Sequence, residues 1–194
     1  MVNLVSIDDD KYMVDVGFGA NNPASPLKLT RDSHAVTAGV GPALNRLSYE
    51  SLPAHTNSGQ RVWVFEHKDG EGEGEWLPMY CFVELEFLPR DYEVMNYFTA
   101  TSGESWFTRR VVACRMVEEE RERDEEGKEG TRLGGVVMLV GGEVTRRLKG
   151  KKETVMVCET EEERVEALER WFGVRLSEEE KAGVRGKEVE LKKA

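Results

Sequence analysis

Apolar and polar positions alternate from the first residues. Positions 1–7 are mostly apolar and β-branched, Asp8-Asp9-Asp10 interrupts them, and Lys11-Tyr12-Met13-Val14-Asp15-Val16 resumes the pattern. This predicts a β-hairpin closed by an aspartate-rich turn. The aspartates do not read as a calcium loop, which needs alternating ligands, a central glycine and a distal glutamate. Residues 17–59 are rich in Gly, Pro, Asn and Ser and predict loop, with order expected only at 26–29 and 35–40. Residues 61–67 and 76–85 are β-rich runs flanking a polar, glycine-rich tip at 69–75, the signature of a second antiparallel pair.

The period then changes. Tyr92, Met95, Asn96, Phe98 and Thr99 predict a short helix, broken at 101–105, that connects two units. Residues 111–117, 133–140, 143–148 and 153–158 read as a meander of strands, with an acidic insert at 118–130 expected to be a solvated loop. Thr160 with Glu163 forms a capping box, Val165, Leu168, Trp171 and Phe172 supply an apolar stripe, and Gly173 can stop the helix. Ser177 with Glu180 opens a shorter helix whose stripe is weak, so the last ten residues are expected to fray.

Composition narrows the classes. The chain has 194 residues, 39% hydrophobic and 33% charged, with a formal net charge of −10. That charge disfavours a nucleic-acid backbone or an anionic membrane surface as partner. No apolar run is long enough to span a bilayer, and the first residues lack a signal peptide's basic and apolar regions, so a cytoplasmic protein is expected. Cys81, Cys114 and Cys158 are odd in number and widely spaced, which indicates neither a disulfide framework nor a zinc site.

Asp15 is the residue that invites chemistry. In a strand over 12–17, Tyr12, Val14 and Val16 face one side while Met13, Asp15 and Gly17 face the other. A carboxylate in so apolar a strand is expected to be partly buried and therefore to have a partner. Two readings stand: a carboxylate accepting backbone N–H bonds in a turn, or the third member of a Cys-His-Asp triad. Gly17-Phe18-Gly19 starts like a dinucleotide fingerprint, but Pro23 and Pro26 fall where a helix should follow.

Tyr12-Met13-Val14-Asp15-Val16-Gly17-Phe18-Gly19, then Pro26-Leu27, then Arg90-Asp91-Tyr92-Glu93-Val94-Met95-Asn96-Tyr97-Phe98-Thr99-Ala100-Thr101-Ser102 and Ser105-Trp106-Phe107, together resemble an arylamine N-acetyltransferase, with the fungal branch nearest in character. The resemblance covers nearly the whole chain. It implies a transferase that moves an acetyl or larger acyl group from acetyl-CoA, or another acyl-CoA, to a small aromatic amine or hydrazine, in xenobiotic metabolism or a biosynthetic step. No permanently bound cofactor or metal is implied. The implied mechanism is ping-pong through a cysteine thioester, with histidine taking the thiol proton and aspartate holding the histidine. By resemblance Asp15 is the triad aspartate, Gly17, Phe18 and Phe98 belong to the substrate pocket, and Thr101, Ser102 and Ser105 lie near the CoA groove.

In this family the cysteine lies in an Arg-Gly-Gly-x-Cys segment of an N-terminal helical domain, and the histidine opens the strand preceding the aspartate. At that spacing the histidine falls immediately before Met1, so the chain as written is expected to be truncated and unable to form an acyl-enzyme. His34, His55 and His67 do not match the family's histidine, and the three cysteines, in apolar strands, read as buried packing groups. The two leading expectations are an acetyltransferase that is catalytic in its complete form, and a truncated module retaining part of a CoA or aromatic-ligand groove. A papain-like or transglutaminase-like hydrolase is a weaker third, which the Asn96-to-Ser102 block disfavours.

The expected fold is α+β, a truncated member of the cysteine-protease-like superfamily. It comprises a β-rich, barrel-like domain over 1–85, a helical connector over 86–110, and a lid-like domain over 111–194 whose antiparallel sheet is capped by the helix at 160–172. Loss of a covering domain is expected to leave apolar surface exposed and to promote self-association.

Overall fold

The structure, a computed structural model, describes residues 1–31, 34–70, 74–121 and 130–191. Its elements follow in chain order as β1 (Asn3–Ile7), β2 (Asp10–Val14), β3 (Leu27–Lys28), β4 (Thr37–Ala38), β5 (Leu44–Glu50), β6 (Val62–Lys68), β7 (Leu77–Phe82), α1 (Pro89–Thr101), α2 (Trp106–Arg109), β8 (Val112–Arg121), β9 (Gly130–Val140), β10 (Glu143–Leu148), β11 (Lys151–Val157), α3 (Glu161–Phe172) and α4 (Glu178–Ala182). This is an α+β fold. Among the described residues no helix is long and apolar enough to cross a membrane.

The chain divides into two compact units. The first holds Met1–Leu85, Met116–Gly135 and Leu148–Gly150; the second holds Glu86–Arg115, Val136–Arg147 and Lys151–Ala194.

In the first unit the hairpin forms as its sequence predicts: β1 pairs antiparallel with β2, Ile7 opposite Asp10, and Asp8 takes the left-handed turn conformation (φ 52°) open to aspartate. Met13 pairs with Leu27 of β3. A second sheet runs β4-β5-β6-β7. Met13, Leu27, Leu47, Trp63 and Phe65 form the buried core, with Leu4, Tyr49, Met79 and Tyr80 packed around it. The expected barrel is thus two separate ladders around one core. Gly- and Pro-rich stretches leave only two-residue β3 and β4 at their borders, too short to close the ring.

The strand β5 lies inside the stretch expected to be loop. Its inward face carries Asn45 beside Leu47, and Asn45 Oδ1 lies 3.0 Å from Nδ1 of buried His67 on β6. On the other face Arg46 makes a bidentate pair with Glu66 at 2.7 and 3.2 Å.

The meander forms the third sheet, in order β11-β10-β9-β8. Lys149 (φ 48°) and Gly150 (φ 78°) give the tight turn between β10 and β11 the primed conformation that matches strand twist. The acidic insert is partly strand, since β8 runs to Arg121; residues 122–129 lie outside the described residues, as do 71–73 of the expected hairpin tip.

In the second unit α1 is longer than expected. Pro89 opens it, Asp91 Oδ2 accepts from Leu88 N at 2.7 Å, and none of its residues is buried. For α3 the caps fall where the sequence puts them: Thr160 Oγ1 accepts from Glu163 N at 3.2 Å, Glu163 accepts from Thr160 N at 3.2 Å, and Gly173 is left-handed at φ 71°. Its buried face is Arg164, Ala167 and Leu168, however, rather than the whole apolar stripe. The reason is the C-terminal segment, which docks through Val189 and Leu191 instead of fraying, residues 192–194 lying outside the described residues. Both terminal nitrogens of Arg164 donate to Val189 O at 3.0 Å, and Leu191 N donates to Glu161 Oε1 at 2.7 Å.

Candidate functional site

The alternation that sends Met13 into the core carries Asp15, one pleat beyond, to the same face at the end of β2. Asp15 is buried, with 9% of its surface exposed. Its two carboxylate oxygens are held by different elements: Gly17 N donates to Oδ1 at 2.9 Å, and the Tyr80 hydroxyl, from β7, donates to Oδ2 at 2.6 Å. The loop after β2 is fixed by Asn22, whose Nδ2 donates to Asp15 O at 2.8 Å and whose Oδ1 accepts from Phe18 N at 3.3 Å. Gly19 (φ 98°) supplies the backbone turn that a side chain would strain.

This loop lays the Phe18 ring edge-on to Tyr80, with centroids 4.9 Å apart, and 6.2 Å from Phe65. Phe18 remains 38% exposed, so the carboxylate sits beside an accessible aromatic wall. Burial, and then the Asp15 hydrogen bond, push the Tyr80 phenol far above its usual range. It therefore stays a donor across physiological pH. Each carboxylate oxygen retains lone-pair capacity beyond the bond it accepts, which is what a group that orients an imidazole requires.

The backbone N–H that Asp15 accepts is the one the turn reading expects. The sequence reading missed Tyr80 and Asn22. The available signal was the rule that a buried carboxylate needs a donor, but nothing in the sequence said which strand would bring it.

The other residues that the resemblance points to lie in the second unit, around the elbow between α1 and α2. Phe98 is 58% exposed on α1. Thr101 Oγ1 donates to Tyr97 O at 2.5 Å, Ser102 Oγ accepts from Glu104 N at 3.2 Å, and buried Ser105 donates to Thr99 O at 2.7 Å. Thr108 Oγ1 closes the elbow on the carbonyls of Ser102 and Ser105, at 2.7 and 2.9 Å. Ser105 is thus a brace for the turn, while Thr101 and Ser102 lie nearer the surface.

Of the three histidines, His34 is exposed and the other two fall in structural settings. His55 Nδ1 caps a turn, accepting from Leu52 N at 3.3 Å, and His67 lies between Asn45 and Asp69. Of the cysteines only Cys158 is buried; Cys81 and Cys114 are exposed, correcting the expectation of three packing groups. The apolar residues flanking Cys81, Tyr80 and Phe82, alternate to the opposite face of the strand. Among the described residues no cluster of three or more His, Cys, Asp or Glu is arranged to hold a metal ion.

A family model described as N-acetyltransferase matches residues 1–123. The N-malonyltransferase FDB2 of Fusarium pseudograminearum is 35% identical over 191 residues, covering 95% of this chain and 53% of the relative. The protein of the same name from Gibberella moniliformis is 34% identical, covering 93% of this chain and 51% of its own length. The chain spans about half the length of the curated relatives it matches. Among solved structures, the arylamine N-acetyltransferase from Mycobacterium abscessus aligns with a TM-score of 0.72 at 23% identity, covering 93% of this chain and 56% of that one. The enzyme of Mycobacterium marinum in complex with CoA aligns at 0.65 and 22%, covering 89% and 53%. These likenesses show the shared fold.

Proposed function

The chain belongs to the arylamine N-acetyltransferase family, and on that premise we propose that it is the Asp15-bearing part of an acyltransferase that carries an acyl group from acyl-CoA to an aromatic amine. The observation that carries the reading is the Asp15 carboxylate, buried at the end of β2, held by Gly17 N and the Tyr80 hydroxyl, and lying beside the half-open Phe18 ring.

In the complete protein a cysteine thiol gives its proton to an imidazole, and the sulfur attacks the acyl-CoA carbonyl. CoA leaves as its thiol, taking that proton. The amine then attacks the acyl-cysteine, the C–S bond breaks to release the amide, and the amine's proton passes through the imidazole back to the cysteine sulfur. Asp15 holds the imidazole in the required tautomer and stabilises its protonated form. In the first unit Phe18 offers apolar surface to an aromatic acceptor; in the second, the family resemblance gives Phe98 to the pocket and the Thr101 and Ser102 hydroxyls to the CoA chain. Residues 1–194 on this reading supply orientation, with nucleophile and base coming from elsewhere in the complete protein. The names of the similar fungal proteins make malonyl-CoA as well as acetyl-CoA a donor to test.

The test is Asp15→Asn in the full-length protein. Turnover should fall on the order of 10⁴-fold, the loss seen when a triad aspartate is neutralised, with CoA affinity nearly unchanged. Equal loss of turnover and CoA binding would make Asp15 a folding residue instead.

A further inference from the structure

We infer that the first unit carries a second binding site, for a small aromatic carboxylate, four residues back along β2 from Asp15. Asp15 meets Tyr80; four residues earlier, Lys11 meets Glu84, which lies four residues after Tyr80. At the rise of an extended strand the two contacts are roughly 13 Å apart. The site is therefore separate from the triad position.

At this end a cavity of about 400 Å³ opens, within the size range of small-molecule pockets. Among the described residues, Lys11, Arg31 and Arg61 line it together with one carboxylate, Glu84. Locally three cations face one anion, in a chain whose formal net charge is −10. The cations are tethered. Glu84 accepts from Lys11 Nζ at 3.0 Å, Arg31 at 3.2 Å and the Trp63 indole at 3.1 Å. Arg31 lies 4.8 Å over the Tyr49 ring, and Arg61 donates to Tyr49 O at 3.3 Å.

Each tether uses only part of a side chain's capacity, since lysine has three donors and arginine five. The side chains of Lys11 and Arg31 remain 54% and 60% exposed, so their spare donors are accessible to an anion. Holding them in advance lowers the ordering cost of binding. Glu84 itself is kept ionised, held down at about 2 by the Trp63, Lys11 and Arg31 hydrogen bonds, and the tether persists at neutral pH.

The remaining walls are apolar. Val62, Val83 and Leu85 line the same cavity, and Leu85 is 71% exposed. A bare inorganic anion would use the cations and leave this surface wet. A ligand with a carboxylate head and a flat apolar body uses both.

The probe is benzoate, read by ligand-observed saturation-transfer NMR on the 194-residue chain. Saturable benzoate binding is expected, with benzylamine, the same ring with the opposite charge, silent. Arg31→Gln/Arg61→Gln should weaken binding by about tenfold or more while leaving the thermal melt in place, since both arginines reach solvent. Asp15→Asn should leave benzoate binding unchanged, so this site and the acyl-transfer reading fail independently. Absence of binding, equal binding of benzylamine, unchanged affinity in the double variant, or inorganic phosphate binding as tightly as benzoate would each overturn the assignment.

Discussion

The Tyr80 hydroxyl donates a 2.6 Å hydrogen bond to Oδ2 of Asp15, joining the end of β2 to β7. Removing the hydroxyl leaves Oδ2 without its donor in a buried setting. Tyr80→Phe should therefore cost about 1.5–3 kcal/mol of stability, the range for hydrogen bonds to charged groups. Urea unfolding at neutral pH measures it; an unchanged midpoint would mean the bond contributes nothing.

Tyr80 also sets an alkaline limit. Its phenol is raised above the ordinary value of 10.0 by burial and by Asp15. Above that pH the unfolded chain loses a proton that the folded chain keeps. The contribution is full below pH 10 and declines as pH rises beyond it. Melting temperatures from pH 9 to 11 should fall more steeply in the wild type than in Tyr80→Phe.

Glu84 acts at the acid end with the opposite sign. Its folded value is about 2 against an ordinary 4.5, chiefly through the Trp63 hydrogen bond and then Lys11. The unfolded state thus takes up a proton first as pH falls. This contribution is present above pH 4.5 and lost progressively toward pH 2. Glu84→Gln should flatten the stability profile in that window; an identical profile would contradict the assigned tether.

Arg164 is buried and bonds Glu161, Gly141 O and Val189 O. Truncating one partner of a buried ion pair typically costs about 3–5 kcal/mol. Arg164→Met should lower stability by that order and free residues 186–191, read as faster amide exchange and new proteolytic nicks there. A protected segment in the variant would show that other contacts dock it.

The face of α1 carries Val94, Tyr97 and Phe98 at 75%, 72% and 58% exposure, and on α2 Phe107 is 64% exposed. Apolar surface of this kind drives association. Sedimentation of the 194-residue chain should show concentration-dependent self-association, reduced in Val94→Glu/Tyr97→Glu. A monodisperse wild-type monomer with a cooperative melt would contradict it.

Some of this was legible in the sequence and some was not, for physical reasons. Capping chemistry is local, so Thr160, Glu163 and Gly173 announced α3 to within a residue. Asp15 announced itself as a charge inside an apolar strand. By contrast β5 carries Asn45 and Arg46, whose partners His67 and Glu66 come from β6, so its burial is invisible until the strands pair. Tyr80 reads as an ordinary strand tyrosine for the same reason. Cys81 misled because its flanking apolar residues, Tyr80 and Phe82, report the opposite face of a period-two strand.

The most direct test of the central claim is where an acyl group lands. The protein isolated from its source, at whatever length it occurs, is incubated with acetyl-CoA or malonyl-CoA, digested, and mapped by mass spectrometry. The expected result is one acyl group on a cysteine outside residues 1–194, with its formation crippled by Asp15→Asn. Stoichiometric acylation of Cys81, Cys114 or Cys158, or acylation at the wild-type rate in Asp15→Asn, would contradict the account.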